Sequence, residues 1–133
     1  MRGLFIVGAE NDRKGVGTTI AEYVIKNDIK GALIQSLFFT PGTPFFKDNE
    51  HILIHQNWNK YNGNVVHYPK NISPYELQKE IIIASAKIYS FKRLIHAILH
   101  YKWINKILFI GEYFWQKSFR SDLRKELKTL KLL

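Results

Sequence analysis

Two groups of residues in this chain have types and spacing that chemistry could use, and one residue type is missing. Gly8 to Thr19 reads GAENDRKGVGTT between an apolar run and an amphipathic stretch, where a glycine-rich loop would cradle phosphate. A Walker A loop needs Gly, four residues, then Gly-Lys-Ser/Thr, so that the lysine amine reaches the β and γ phosphates. Here Arg13 stands five residues after Gly8 and Gly17 is followed by Thr18, so nucleoside triphosphate binding is not expected. The second group is the histidines: His51/His55 and His96/His100 are each four apart, with His67 between the pairs. On a helix that spacing puts both rings on one face, but neither pair has an acidic third ligand nearby, so a surface or packing role is the reading. The missing residue is cysteine, which excludes a disulfide framework, a thiolate zinc site and an iron-sulfur site within this chain, and fits a reducing compartment.

The elements that must position these residues are those of one small domain. At 133 residues, 46% hydrophobic and 14% aromatic, the chain is apolar enough to offset the entropy of ordering. Gly3 to Gly8 reads as a buried strand ending in a glycine and acidic turn. The following helix is expected to take its cap from Thr18 or Thr19, to bury Ile20, Tyr23 and Val24, and to close at Asn27-Asp28 and Gly31. Ala32 to Phe39 is a second strand, apolar on both faces as parallel strands are. A strand-helix-strand unit alone leaves both sheet edges unpaired, which predicts a fragment of a larger sheet.

Pro41 to Pro74 reads as loop, with short strands at Ile52 to Ile54 and Val65 to Tyr68 and a turn at Asn62-Gly63. Ser73-Pro74-Tyr75-Glu76 is a strong helix start: a Ser N-cap, Pro at the first helical position, and Glu placed for a capping box. Leu77, Ile81, Ala84, Ile88, Phe91, Ile95 and Ile98 alternate at spacings of four and three, which predicts one face over roughly six turns. After a break at His100 to Lys102, a second helix is expected from Trp103. Its early turns would set Ile107, Ile110 and Phe114 on one side, and its later turns Phe119, Leu123, Leu127 and Leu130. Residues 79 to 133 hold 12 Lys and Arg against 4 Asp and Glu, or +8 of the chain's +9, while residues 1 to 78 hold 8 against 7. That basic tail reads first as a solvated face; alternatively the basic, aromatic stretch Leu94 to Arg120 lies on a membrane interface, its longest apolar run being too short to span one. The apolar run Leu4 to Val7 is too short for a signal peptide, so no targeting signal is expected.

Three stretches together resemble a known family. Gly3, Phe5, Val7 and Gly8, followed by Glu10, approximate a Gly-x-Ile-x-Gly-x-x-Glu strand end. Pro41-Gly42-Thr43-Pro44-Phe45 matches half of a Leu-Thr-Pro-x-Pro-Gly-Thr-Pro-Leu-Tyr loop, with Phe38 and Phe39 in place of the earlier Thr-Pro. Trp58, Tyr61 and Gly63, then Val65-Val66, Pro69, and Ser73-Pro74 with Glu76-Leu77, match Asp-Trp-x-x-Tyr-Asp-Gly, Val-Val-Phe-x-Pro and Met-Ser-Pro-x-Glu-Leu; Asn57 and Asn62 stand where Asp is usual. Over Gly3 to Ser90 the chain thereby resembles the carboxy-terminal part of radical S-adenosylmethionine (SAM) proteins that also carry a cobalamin-binding domain.

That resemblance implies an α/β fold: a partial, TIM-like barrel remnant over residues 1–48, a loop with short strands over 49–72, and a basic, aromatic-rich helical extension over 73–133. Intact members use SAM, a [4Fe-4S] cluster and cobalamin. The cluster needs cysteine thiolates, so no cofactor is expected on this chain alone and it is not expected to be catalytic by itself. Gly8, Glu10, Phe38, Phe39 and Thr40, with the loop as far as Thr43, are implied as one wall of the SAM cavity, and the aromatics after Trp58 as packing anchors. The implied partner is an amino-terminal portion bearing the cysteines and the cobalamin domain, and the implied compartment is the cytoplasm. The alternative is a non-catalytic basic helical module for an anionic partner; nucleic acid is the less expected one and peripheral membrane contact stays open.

Overall fold

A computed structural model of the chain describes residues 1–133. Strands β1 (Arg2–Val7) and β2 (Gly31–Ser36) pair in parallel, from Arg2 opposite Gly31 to Val7 opposite Ser36. Parallel strands need a crossover, and helix α1 (Val16–Lys26) provides it. Then come α2 (Pro44–Asn49), 3-10 turns at Glu50–Ile52 and Trp58–Lys60, α3 (Pro74–Ile88), α4 (Phe91–His100) and α5 (Trp103–Lys131). The architecture is a small α/β one, a two-stranded open sheet followed by several helices.

The strand-helix-strand order is as expected, with β2 ending at Ser36 rather than Phe39 and Leu37 still donating to the Val7 carbonyl at 2.7 Å before the chain turns away. However, β1 is not the buried strand expected, since only one sheet face is covered and Leu4 and Ile6 lie on the other, and Tyr23 of α1 is exposed rather than buried. The cap of α1 differs from expectation. The helix starts ahead of Thr18 with Gly15 at the N-cap, a residue that has no side chain to supply. Its orphan N–H groups go instead to the carboxylate of Glu80 on α3: Gly15 donates to Oε1 and Gly17 to Oε2, both at 2.9 Å. An acid at a helix N-terminus also opposes the positive end of the helix dipole.

In the middle of the chain the structure adds a helix where loop was expected. Thr43 accepts from the Phe46 N–H at 3.2 Å and Pro44 takes the first turn, which together start α2. The two expected strands shrink to one antiparallel bridge between Leu53 and His67, flanked by Ile54 N–H to Val66 O and Tyr68 N–H to Ile52 O.

Ser73 caps α3 as its sequence predicts, accepting from Glu76 N–H at 3.2 Å, while the Glu76 carboxylate turns to Lys79 and Lys14. The single face expected from Leu77 to Ile98 is cut at Ser90, whose hydroxyl caps α4 by accepting from Arg93 N–H. Leu77, Ile81, Ala84 and Ile88 are buried as expected, but Phe91, Ile95 and Ile98 point outward. On α5 the buried early residue is Phe109; Ile107 and Phe114 lie outside, whereas Leu123 and Leu130 are buried as expected.

The main core joins Val7, Val24 and Ile34 to Val65 and Ile72 and to Leu77, Ile81, Phe109 and Leu123, and so draws on all three expected segments. Helix α3 is its axis, packed on α1 and β2 on one side and α5 on the other. Buried polar groups on α3 are paired: Gln78 accepts from Val65 N–H at 2.8 Å and donates to the Leu123 carbonyl at 2.9 Å, and Ser85 joins Gln116 and Arg120.

The two sheet edges are unequal. At the outer edge of β2 the Tyr89 hydroxyl accepts from Ala32 N–H at 2.9 Å and lies 3.2 Å from both the Ala32 carbonyl and Glu112. Burial pushes the Tyr89 phenol well above its ordinary value, so it stays protonated and able to donate. The outer edge of β1 has no partner strand, and Leu4 and Ile6 on the open sheet face are 60% and 55% exposed.

Candidate functional site

The largest cavity, about 680 Å³, opens at the carboxyl ends of β1 and β2. Strand ends deliver their following loops to one place, which is where α/β folds carry ligands. Gly8 to Glu10 after β1, Leu37 and Phe39 after β2, Phe45 of α2 and His67 to Lys70 form its walls. Phe39 is fully buried and stacks on Phe45, centroids 5.1 Å apart and planes 10° from parallel. His67 lies against Phe39 at 5.0 Å.

Gly8 is required here on two counts. Its φ of 103° is a conformation side chains rarely adopt, and a Cβ would sit 2.8 Å from His67 Cε1. Its N–H and that of Ala9 both donate to the Asp12 carboxylate, at 2.6 and 3.1 Å, which holds the loop. Its carbonyl lies 3.0 Å from His67 Nε2. A carbonyl can only accept, so Nε2 carries the proton and Nδ1 is left as an acceptor; that atom is buried and has no partner. Burial holds the His67 pKa below its ordinary value, with the Gly8 hydrogen bond partly opposing, so the ring is neutral at neutral pH.

The implied wall residues do not stay together. Gly8, Glu10 and Phe39 line this cavity, with Glu10 on the exposed rim 3.9 Å from Lys70. Phe38 turns to the opposite sheet face, where it meets Tyr61 edge-on at 5.6 Å. There it lines a second cavity of about 380 Å³ with Gln35, Trp115 and Phe119. Adjacent residues of an extended segment point to opposite sides, which is why the Phe38-Phe39 pair divides. Thr40 is exposed and its carbonyl accepts from the Thr43 hydroxyl at 2.7 Å, so both threonines build the turn into α2. Trp58 packs on Phe46 and Tyr61, an anchoring arrangement.

Phe45, His67 and Glu80 were not among the candidates. His67 stands where the resembled pattern has Phe, and Glu80 falls on the buried face defined by Leu77, Ile81 and Ala84; those were the available signals. The Glu80 carboxylate also occupies the helix N-terminus where a P-loop would hold phosphate, in accord with the failed motif spacing.

Chemically the cavity is an aromatic slot with the neutral His67 imidazole, a second histidine, His51, and a polar rim, suited to holding a flat ligand. The chain has no cysteine, and no group of three or more His, Asp or Glu is placed to hold a metal ion. His96 and His100 do share a face, rings 4.6 Å apart, and stand without a third ligand. The donor set therefore does not fit an iron-sulfur cluster. No helix is long and apolar enough to cross a membrane.

No protein-family model matches the chain, and no solved structure matches it significantly. Among curated proteins it is similar to the bacteriochlorophyllide d C-12(1)-methyltransferase of Chlorobaculum tepidum, 25% identical over 115 residues, covering 81% of this chain and 25% of that protein. The chain thus spans about a quarter of the length of the curated relative it matches.

Proposed function

We propose that this chain acts as the carboxy-terminal part of a larger radical SAM enzyme of the cobalamin-binding type, supplying the last strands of a barrel and one wall of its ligand cavity. The observation that carries this reading is the asymmetry of the sheet. On the edge of β2 the Ala32 amide is taken by Tyr89, while the edge of β1, the first strand, has no such contact and lies beside a face carrying exposed Leu4 and Ile6. A barrel continued by preceding strands needs an opening on that side. The cavity at the strands' carboxyl ends would then be completed by the added portion, with Gly8, Phe39 and Phe45 as the wall from this chain. The cluster and cobalamin belong to that other portion, since the residues here fit neither thiolate nor metal ligation. The similarity to a methyltransferase makes methyl transfer the reaction class this reading favours for the assembled protein.

The test is capture. The chain is expected to form a one-to-one complex with a polypeptide that carries Cys-x-x-x-Cys-x-x-Cys and is encoded upstream of it. Ile6→Lys should abolish that complex by placing a charge on the joining face. A chain that binds no cysteine-bearing polypeptide, or binds it equally well with Ile6→Lys, would remove the reading.

A further inference from the structure

The corner between α4 and α5 carries a surface that neither the cavity nor the open strand edge uses. From Phe91 to Gly111 there is no acidic residue, while Lys92, Arg93, Lys102 and Lys106 fall in the same stretch. Arg93 is engaged, its guanidinium donating to the carbonyls of Ile88 and Ile29, which leaves the three lysines. Ile95, Ile98 and Leu99 lie on the side of α4 away from buried Ala97, and Trp103, Ile104 and Ile107 on the side of α5 away from buried Phe109. The two helices join through Tyr101 and Lys102 alone, and the residues flanking that turn are the barest: Leu99 is 68% and Trp103 70% exposed. Asp28 also reaches this corner but is paired with Lys30, so the charges left unpaired around the apolar group are the lysines, and such a group marks an interaction site rather than ordinary surface.

Its place in the fold separates it from the side on which a further strand would add to β1. Lys30, just before β2, lies 4.4 Å from the Tyr101 ring, and Arg93 bonds Ile29, so the corner sits at the amino ends of the strands. The cavity opens at their carboxyl ends, and a strand added to β1 would lie alongside β1. The chemistry then selects the occupant. Aliphatic Ile and Leu reward transfer into acyl chains, a Trp with nearby lysines suits the headgroup layer, and unpaired ammonium groups select anionic lipid. Nucleic acid would use the lysines but leave the aliphatic residues in water.

We infer that the α4–α5 corner is a docking surface for an anionic lipid bilayer, inserting Leu99, Trp103 and Ile104 to headgroup depth beneath a collar of Lys92, Lys102 and Lys106. This holds independently of the enzyme-part reading, because it concerns residues that reading does not use.

The experiment is vesicle flotation of the full chain carrying Trp58→Phe and Trp115→Phe, which leaves Trp103 as the only tryptophan, excited selectively at the red edge away from the tyrosines. Vesicles half phosphatidylglycerol should bind it at low salt, pure phosphatidylcholine vesicles should bind far less, and brominated acyl chains should quench Trp103. Each Lys→Gln change at 92, 102 or 106 should weaken binding about fivefold. Leu99→Ser with Trp103→Ser, checked by circular dichroism on the otherwise native chain, should abolish flotation. Failure to float with anionic vesicles at low salt would overturn the inference. So would flotation without quenching, or flotation unchanged in the Ser pair. A dimer through this face that excludes vesicles, or an oligonucleotide bound through these lysines in place of vesicles, would overturn it as well.

Discussion

The N–H of Gly17 meets the Glu80 carboxylate at 2.9 Å across the contact between α1 and α3, and a Cβ at Gly17 would overlap the Glu80 carbonyl. One acid thus caps a helix from which it is 63 residues distant, and one missing side chain lets the two helices approach. Glu80→Ala leaves two N–H groups, one of them buried, without an acceptor, an expected loss of about 3 kcal/mol. Glu80→Gln keeps an acceptor and should lose roughly half as much. Gly17→Ala forces the helices apart and should be at least as harmful as Glu80→Ala; midpoints of urea unfolding will rank the three.

His67 gives the protein a pH dependence of known sign. Its folded-state pKa is below the ordinary value of 6.5 because burial disfavours the charged ring. Above 6.5 folded and unfolded chains are both neutral at this site and the contribution is complete; as pH falls below it the unfolded chain takes the proton first and stability drops. His55 shifts the same way, by burial and by Lys60, and adds to the slope. His67→Phe should therefore flatten, without abolishing, the fall in unfolding midpoint between about pH 7 and pH 5.

The Tyr89 hydroxyl is expected to act on stability and on association together. Tyr89→Phe leaves the Ala32 amide without its acceptor, at a cost of about 1–3 kcal/mol. It also uncovers a second strand edge, so the variant should associate more than the parent at equal concentration, as sedimentation velocity would read.

Leu4→Lys with Ile6→Lys should act in the opposite direction. Charges on the open face repel edge-to-edge pairing, so the isolated chain should become less self-associated while its unfolding midpoint stays nearly unchanged, since both side chains are largely exposed.

The order and type of the main elements were legible because their signals are local. Ser73-Pro74 starts α3 through its own cap, and the short, continuous apolar runs of β1 and β2 need only their neighbours. The break at Ser90 was hidden because the four-three spacing carries on through it to Ile98, although the Ser cap that makes the break was in view. The cap of α1 was out of reach, since a carboxylate 63 residues away substitutes for the local threonines. In the cavity, the glycine and acid after β1 could be read as a turn, and Gly8 proved to be one. The separation of Phe38 from Phe39 depends on backbone direction past the end of β2, and the partnership of Gly8 with His67 on a contact between distant segments.

Tyr89 has a consequence for how many copies can join. A sheet with two free edges can recruit neighbours without limit and grow into a fibre, whereas one blocked margin restricts each copy to a single β-type joint. Growth then halts at a pair, whether the mate is another copy or a different polypeptide. The Tyr89 phenol occupies the Ala32 amide on that margin, so a strand adding there would first have to displace it.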